Sequence, residues 1–185
     1  MSKTHVNDSI IISKHSLFSF KVHELALVRP NTMFDNQVDS LIYETNNVGE
    51  IIGPFENDSI MIEYKIASID SSWVFNVGNI FIKSDSSTSY SLANKIIRAY
   101  NYENKSFDEL CKTYSMDNNQ NLNCDIGLIF EGYLLKDFEK EVLLHKKDDV
   151  FITTTRFGIH VVKLLDNNIK KKCRVKYTSL TLRKK

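Results

Sequence analysis

Thr155-Arg156-Phe157-Gly158-Ile159-His160-Val161-Val162-Lys163-Leu164 is the stretch on which the fold turns. From Gly158 onward it is mostly β-branched and apolar, and it reads as a closing strand over residues 158–165. Val150 to Thr153 reads as a second closing strand just before it. Toward the N-terminus, Lys136 to His145 places Phe138, Val142 and Leu143 at helical spacing, and Asp125 to Phe130 is a short strand or turn. Residues 115–124, with four asparagines and a glutamine among them, form a polar loop. Ser106 followed three positions later by Glu109 is a capping box, opening a short helix through Leu110 and Tyr114. Ser89 to Tyr102 puts Leu92, Ala93, Ile96, Ile97 and Tyr100 on one helical face, and Trp73 to Lys83 is strand-like. The order strand, helices, short strand, helix, two strands predicts a compact α+β domain over roughly residues 73–166.

The front of the chain is less regular. Residues 1–15 are polar and read as irregular, and Phe18 to Val28 alternates as a strand. Asp35 to Thr45 has Val38, Leu41 and Ile42 at helical spacing with Asp35 as N-cap. Gly53-Pro54-Phe55 reads as a turn leading into a strand over residues 59–69. Gly49-x-x-x-Gly53-Pro54-Phe55 and the strand after it resemble residues 147–166, a weak internal repeat. On that reading residues 18–70 are the rear half of a module of which residues 73–166 are a full copy; the alternative is two unrelated turn-plus-strand units.

Composition narrows the function classes. The chain has 185 residues, 42% hydrophobic and 25% charged, so wholesale disorder is not expected. No apolar run is long enough for a transmembrane helix, and Ile10-Ile11-Ile12 is too short for a signal-peptide core. Any membrane association or export is therefore expected through a longer parent protein. Net charge is +1, but residues 170–185 carry eight basic groups and no acid, leaving the first 169 residues at −7. Without an aromatic platform or a recognition helix, this basic tail reads as the solvated end of a final strand rather than a nucleic-acid or membrane contact. The three cysteines (Cys111, Cys124, Cys173) have no C-x-x-C pair, and their odd number is a poor disulfide framework. Five histidines form no metal-binding pair, and six glycines never cluster into a phosphate loop. No G-x-S-x-G elbow is present either. Metal, nucleotide and hydrolase chemistry are not expected.

Three stretches carry a family resemblance. They are Phe107-Asp108-Glu109-Leu110-Cys111-Lys112-Thr113-Tyr114-Ser115, then Asp125-Ile126-Gly127 with Gly132 and Phe138-Glu139, then the closing segment from Thr155 to Leu164. In order and spacing they resemble the parvulin-type peptidyl-prolyl isomerases, whose motifs run F-x-x-L-A-x-x-Y-S, G-D-L-G, G-x-M-x-x-x-F-E and T-x-F-G-Y-H-I-I-K. The resemblance implies a parvulin-like compact antiparallel sheet with surrounding short helices over residues 72–168. A truncated half module at 16–71 precedes it, residues 1–15 are an irregular N-terminus, and 169–185 are a basic C-terminal tail. It further implies isomerisation of X–Pro bonds without a cofactor, unfolded or proline-containing polypeptides as clients, and a bacterial cell-envelope or periplasmic setting. The start at half a module suggests a piece of a longer protein.

Carried over by position, the resemblance makes Phe138 the aromatic floor of a proline pocket. Leu134 stands where the family has methionine, Ile126 where it has the leucine of G-D-L-G, and Phe157 lies in the closing strand beside the pocket. His160, Asn79 and Asp117 would address the substrate carbonyl. Asn79, in Gly78-Asn79-Ile80-Phe81-Ile82, replaces the first family histidine and can still hydrogen-bond to His160. Leu128 and Ile129 replace a Trp-Phe pair, and Asn123-Cys124 replaces Gly-Gly, with Cys124 read as a small filler. In the front half Ile62 falls near the histidine position, so no second site is expected. Two main readings follow: a prolyl isomerase of reduced or altered activity, or a non-catalytic parvulin-like chaperone or peptide-binding module. An electrostatic binder acting through the basic tail is a remote third.

Overall fold

The computed structural model describes residues 15–27, 29–34, 36–84, 86–118 and 122–184. Along the chain the elements are β1 (His15–Ala26), α1 (Gln37–Glu44), β2 (Ile51–Glu56), β3 (Ile60–Lys83), α2 (Ser87–Tyr102), α3 (Phe107–Tyr114), β4 (Asp125–Phe130), α4 (Lys136–Val142), β5 (Val150–Thr155), β6 (Gly158–Leu164) and β7 (Ile169–Lys184). The architecture is α+β, with antiparallel strand pairing. The described residues divide into two compact units. One is drawn from residues 15–27, 32–71 and 172–184, the other from 29–31 and 72–171.

In the first unit β7 pairs antiparallel with β1, from His15 opposite Lys184 to Ala26 opposite Arg174. Ile42, Ile66, Val175 and Tyr177 form its buried centre. Three expectations change here. The basic segment expected as a solvated tail at the end of a final strand is strand β7 over residues 169–184, and Val175, Tyr177 and Leu182 in it are buried. Counting bases hid the period-two alternation that turns these residues inward. Some of its cations are paired: Arg174 and Lys176 meet Glu24, and Lys184 meets Glu56. Residues 53–55 are not a turn but part of β2, at a register shift against β3, with a cis Gly53–Pro54 bond. The reversal comes after it, where Asn57 Oδ1 accepts the N–H groups of Ser59 and Ile60. Asp35, like residues 1–14, lies outside the described residues; Asn36 caps α1, its Oδ1 accepting from the Asp39 N–H at 2.7 Å.

In the second unit β6 lies between β5 and β3, and β4 pairs with β3. The strands predicted over residues 59–69 and 73–83 are both parts of β3. Alternation along β3 and β6 sorts their side chains onto two faces. Ile80, Ile82, Ile159 and Val161 form one cluster with Ala93, Ile96, Leu110 and Phe107 of α2 and α3. Phe75, Val77, Val162 and Leu164 form the other with Phe138 and Val142 of α4. Asn79, Phe81 and His160 fall in the register of this second face, which is how the sheet points them at α4. Gly78 leaves room for α3, since a Cβ there would lie 2.8 Å from the Phe107 ring. The Ser106–Glu109 capping box forms as read.

The cysteine reading is overturned. Cys111 and Cys124 are joined by a disulfide, with Cα atoms 5.9 Å apart, and both are fully buried in the cluster beneath α2 and α3. Cys124 is therefore a cross-link and not a filler; Cys173 is the free cysteine. An odd count conceals a pair when the third member sits elsewhere in the fold.

Candidate active site

His160 on β6 is opposite Phe81 on β3 and opposite Thr153 on β5. Its Nδ1 is 3.0 Å from Asn79 Oδ1 and its Nε2 is 2.9 Å from Thr155 Oγ1. An amide oxygen only accepts, so with Asn79 in this orientation Nδ1–H donates and Nε2 carries the lone pair. The Thr155 hydroxyl then donates to Nε2, and its oxygen accepts the Phe157 N–H at 3.3 Å. The result is a directed chain from the Phe157 backbone through Thr155 and His160 to Asn79.

Aromatic rings enclose the imidazole. Phe138 meets it edge to face, with centroids 5.3 Å apart at 85°, and Phe81 lies at 5.1 Å and 36°. Burial pushes the His160 pKa down from 6.5 to about 4, against the smaller opposing pull of the Asp117 carboxylate. The ring is therefore neutral at pH 7. Because the folded value lies below the unfolded one, His160 contributes stability that is complete above pH 6.5 and is lost as pH falls from there toward about 4. An NMR titration of the His160 ring protons is expected to give a midpoint near 4, and a midpoint near 6.5 would mean the ring is solvated.

The loop after α3 is stitched to β3 beside the imidazole. The Phe81 N–H donates to Ser115 Oγ at 3.2 Å and the Met116 N–H donates to the Phe81 carbonyl at 2.8 Å. This brings the exposed Asp117 into the field of His160. At the other end of the loop the Asn79 N–H donates to the Cys124 carbonyl at 2.9 Å. Leu134 and Ile126 pack, partly buried, against the cluster that holds Phe138. Of the other six residues singled out in the sequence, Asn79, Phe138 and Asp117 thus lie around His160, and Leu134 and Ile126 line the adjoining apolar wall.

Phe157 differs from its expected place. It lies in the two-residue turn between β5 and β6, not within the closing strand, and is 56% exposed with the Arg156 guanidinium 4.8 Å from its ring. Gly158, just after this turn, sits against β3; a Cβ there would come 2.3 Å from the Ile82 carbonyl oxygen. Sequence reasoning passed over Thr155, although it occupies the threonine of the closing motif, and Phe81, which reads only as a strand residue. A cavity of about 490 Å³ bordered by Gly132, Leu134, Glu139 and Leu143 includes neither His160 nor Phe138. The site is therefore defined by its side-chain chemistry and not by that cavity.

Residues 60–168 match the family model described as the PPIC-type PPIase domain. Among characterised proteins the chain is similar to foldase protein PrsA 1 of Bacillus cereus, 36% identical over 66 residues; the match takes in 35% of this chain and 23% of that protein. Among solved structures it is similar to a PpiC-type peptidyl-prolyl cis-trans isomerase domain (TM-score 0.48, 18% identity, 55% of this chain and 94% of that one). It is also similar to PrsA of Bacillus anthracis (TM-score 0.47, 20% identity, 53% of this chain and 43% of that one). With the matched segment spanning more than half its length, the chain belongs to the PpiC-type (parvulin) peptidyl-prolyl isomerase domain family.

Proposed function

We propose that residues 72–168 catalyse cis–trans isomerisation of X–Pro bonds in unfolded or folding polypeptides. The observation that carries this reading is the neutral His160 ring packed edge to face on Phe138 and hydrogen-bonded to Asn79. Resonance gives the amide a barrier of ~18–20 kcal/mol, because twisting the bond out of plane forfeits that resonance. Phe138, Leu134 and Ile126 offer an apolar floor and wall to the pyrrolidine ring, with Phe157 at the exposed turn. A ring held there leaves the chain on the carbonyl side free to rotate. Asp117 and the hydrogen-bonded chain around His160 supply the polar groups beside the twisting carbonyl. Catalysis is differential binding of the twisted amide, with no covalent intermediate and no cofactor.

Asn79 cannot exchange a proton with His160, so the pair holds one polarity where two histidines could alternate. On this account activity is lower than in relatives with histidine at that position. Asn79→His is expected to raise kcat/KM by up to about tenfold, the value of one hydrogen bond of ~1.4 kcal/mol. Isomerisation of a short X–Pro peptide, followed by protease-coupled cleavage or NMR exchange, tests both statements. An unchanged rate in Asn79→His would remove this position from the site.

The same asparagine favours a second reading, a peptide-binding chaperone module without catalysis. Suppressed aggregation of a denatured client with no acceleration of the X–Pro peptide would select it. The clients proposed in both cases are polypeptides, and the similarity to a foldase supports that choice. The buried Cys111–Cys124 bridge supports an oxidising compartment such as the cell envelope.

A further inference from the structure

Glu139 follows Phe138 on α4 and is only 5% exposed. A buried carboxylate is costly unless its oxygens are hydrogen-bonded. Here one oxygen, Oε1, accepts two backbone N–H groups, from Gly132 at 2.8 Å and Leu134 at 3.0 Å. Both donors lie in the connection between β4 and α4, where Gly132 has a φ of +99°. The helix itself starts at Leu135 with no side-chain cap. Glu139 therefore reaches backward from the first turns of α4 and ties the incoming segment to the helix, through charge-assisted bonds.

The bonds have a positional consequence. Leu134 and Phe138 pack in one apolar cluster but come from the connection and the helix respectively. The Glu139 carboxylate is the polar link that joins the two. On the proline-isomerase reading above, we propose that Glu139 is a positioning residue. It sets Leu134, the pocket wall, at a fixed separation from Phe138, the pocket floor, so that the gap accepts a pyrrolidine ring.

The test uses the full chain with Glu139→Gln, Glu139→Asp and Glu139→Ala. Peptide Kd, KM and kcat for an X–Pro peptide are measured at a temperature where each variant is fully folded. Glutamine keeps an acceptor at the same reach and is expected to stay within about twofold of the wild type. Alanine loses both bonds and is expected to raise KM and peptide Kd about tenfold, with kcat changed less. Aspartate keeps the charge but falls one methylene short; it is expected to behave like alanine, and it carries the test if alanine does not fold. An active wild type with unchanged KM in the aspartate or alanine variant overturns the role of Glu139 alone. Equal weakening in the glutamine and alanine variants does the same, since it would separate the effect from the acceptor. A wild type that neither accelerates nor binds the peptide overturns the isomerase reading, and this role with it.

Discussion

A Cys111→Ala/Cys124→Ala double variant is expected to lose about 3 kcal/mol of unfolding free energy relative to the oxidised protein. The bridge closes a sequence separation of 13 residues, and both sulfurs lie in the cluster formed by β3, β6, α2 and α3. Opening it adds chain entropy to the unfolded state and leaves smaller side chains in a packed core. The effect is expected to reach the site as well. The bridge anchors both ends of the segment that carries Asp117, and that segment is bonded to β3 at Phe81 and Asn79. Isomerase activity is therefore expected to fall even where the variant remains folded. Urea unfolding of the oxidised wild type, of the wild type in a dithiol reductant and of the double variant measures the first effect. Identical midpoints in all three would show that the bridge contributes nothing.

Phe138→Ala is expected to lower kcat/KM by about a hundredfold, because on the proposed reading it removes the surface that receives the proline ring, together with the T-shaped contact to His160. Phe138 is also a core residue, so the same change is expected to cost about 3–5 kcal/mol of stability. Phe138→Leu separates the two effects. Leucine keeps much of the buried volume but has no aromatic edge for the imidazole. It is expected to fold with a modest loss of stability and to retain about a tenth of the wild-type kcat/KM. Wild-type kinetics in the leucine variant, at a temperature where it is folded, would assign the pocket floor to another residue.

Much of this was legible in the sequence because it rests on periodicity and on short-range chemistry. The β-branched and apolar content of residues 73–83 and 158–165 gives the two strands, and their pairing turns Asn79 and His160 toward one layer. The Ser106 capping box is entirely local and formed where it was read. What was not legible depends on contacts between distant segments. Cys111 and Cys124 each replace a small residue of the family pattern, alanine and glycine, and that paired departure was the available signal. Read singly, Cys124 passes for a small filler. Strand β7 was obscured because its cations outnumber its apolar residues, although only its inward parity decides burial. Gly53-Pro54 signals a break in any local reading, yet β3 supplies pairing on either side of it and absorbs it as an irregularity within β2. Thr155 and Glu139 stand inside the quoted motifs but act through hydrogen bonds that spacing alone does not reveal.

On the proposed reading an apolar cup around Phe138 and His160 holds a proline ring while its amide bond turns. Intermolecular NOEs measured on a short X–Pro peptide, under conditions where its cis and trans forms exchange on the protein, address it most directly. The account requires contacts from the proline ring protons to Phe138, Leu134 and Ile126, together with exchange faster than in free peptide. Contacts confined to another surface of the protein, or contacts in the cup with exchange no faster than in water, would contradict it.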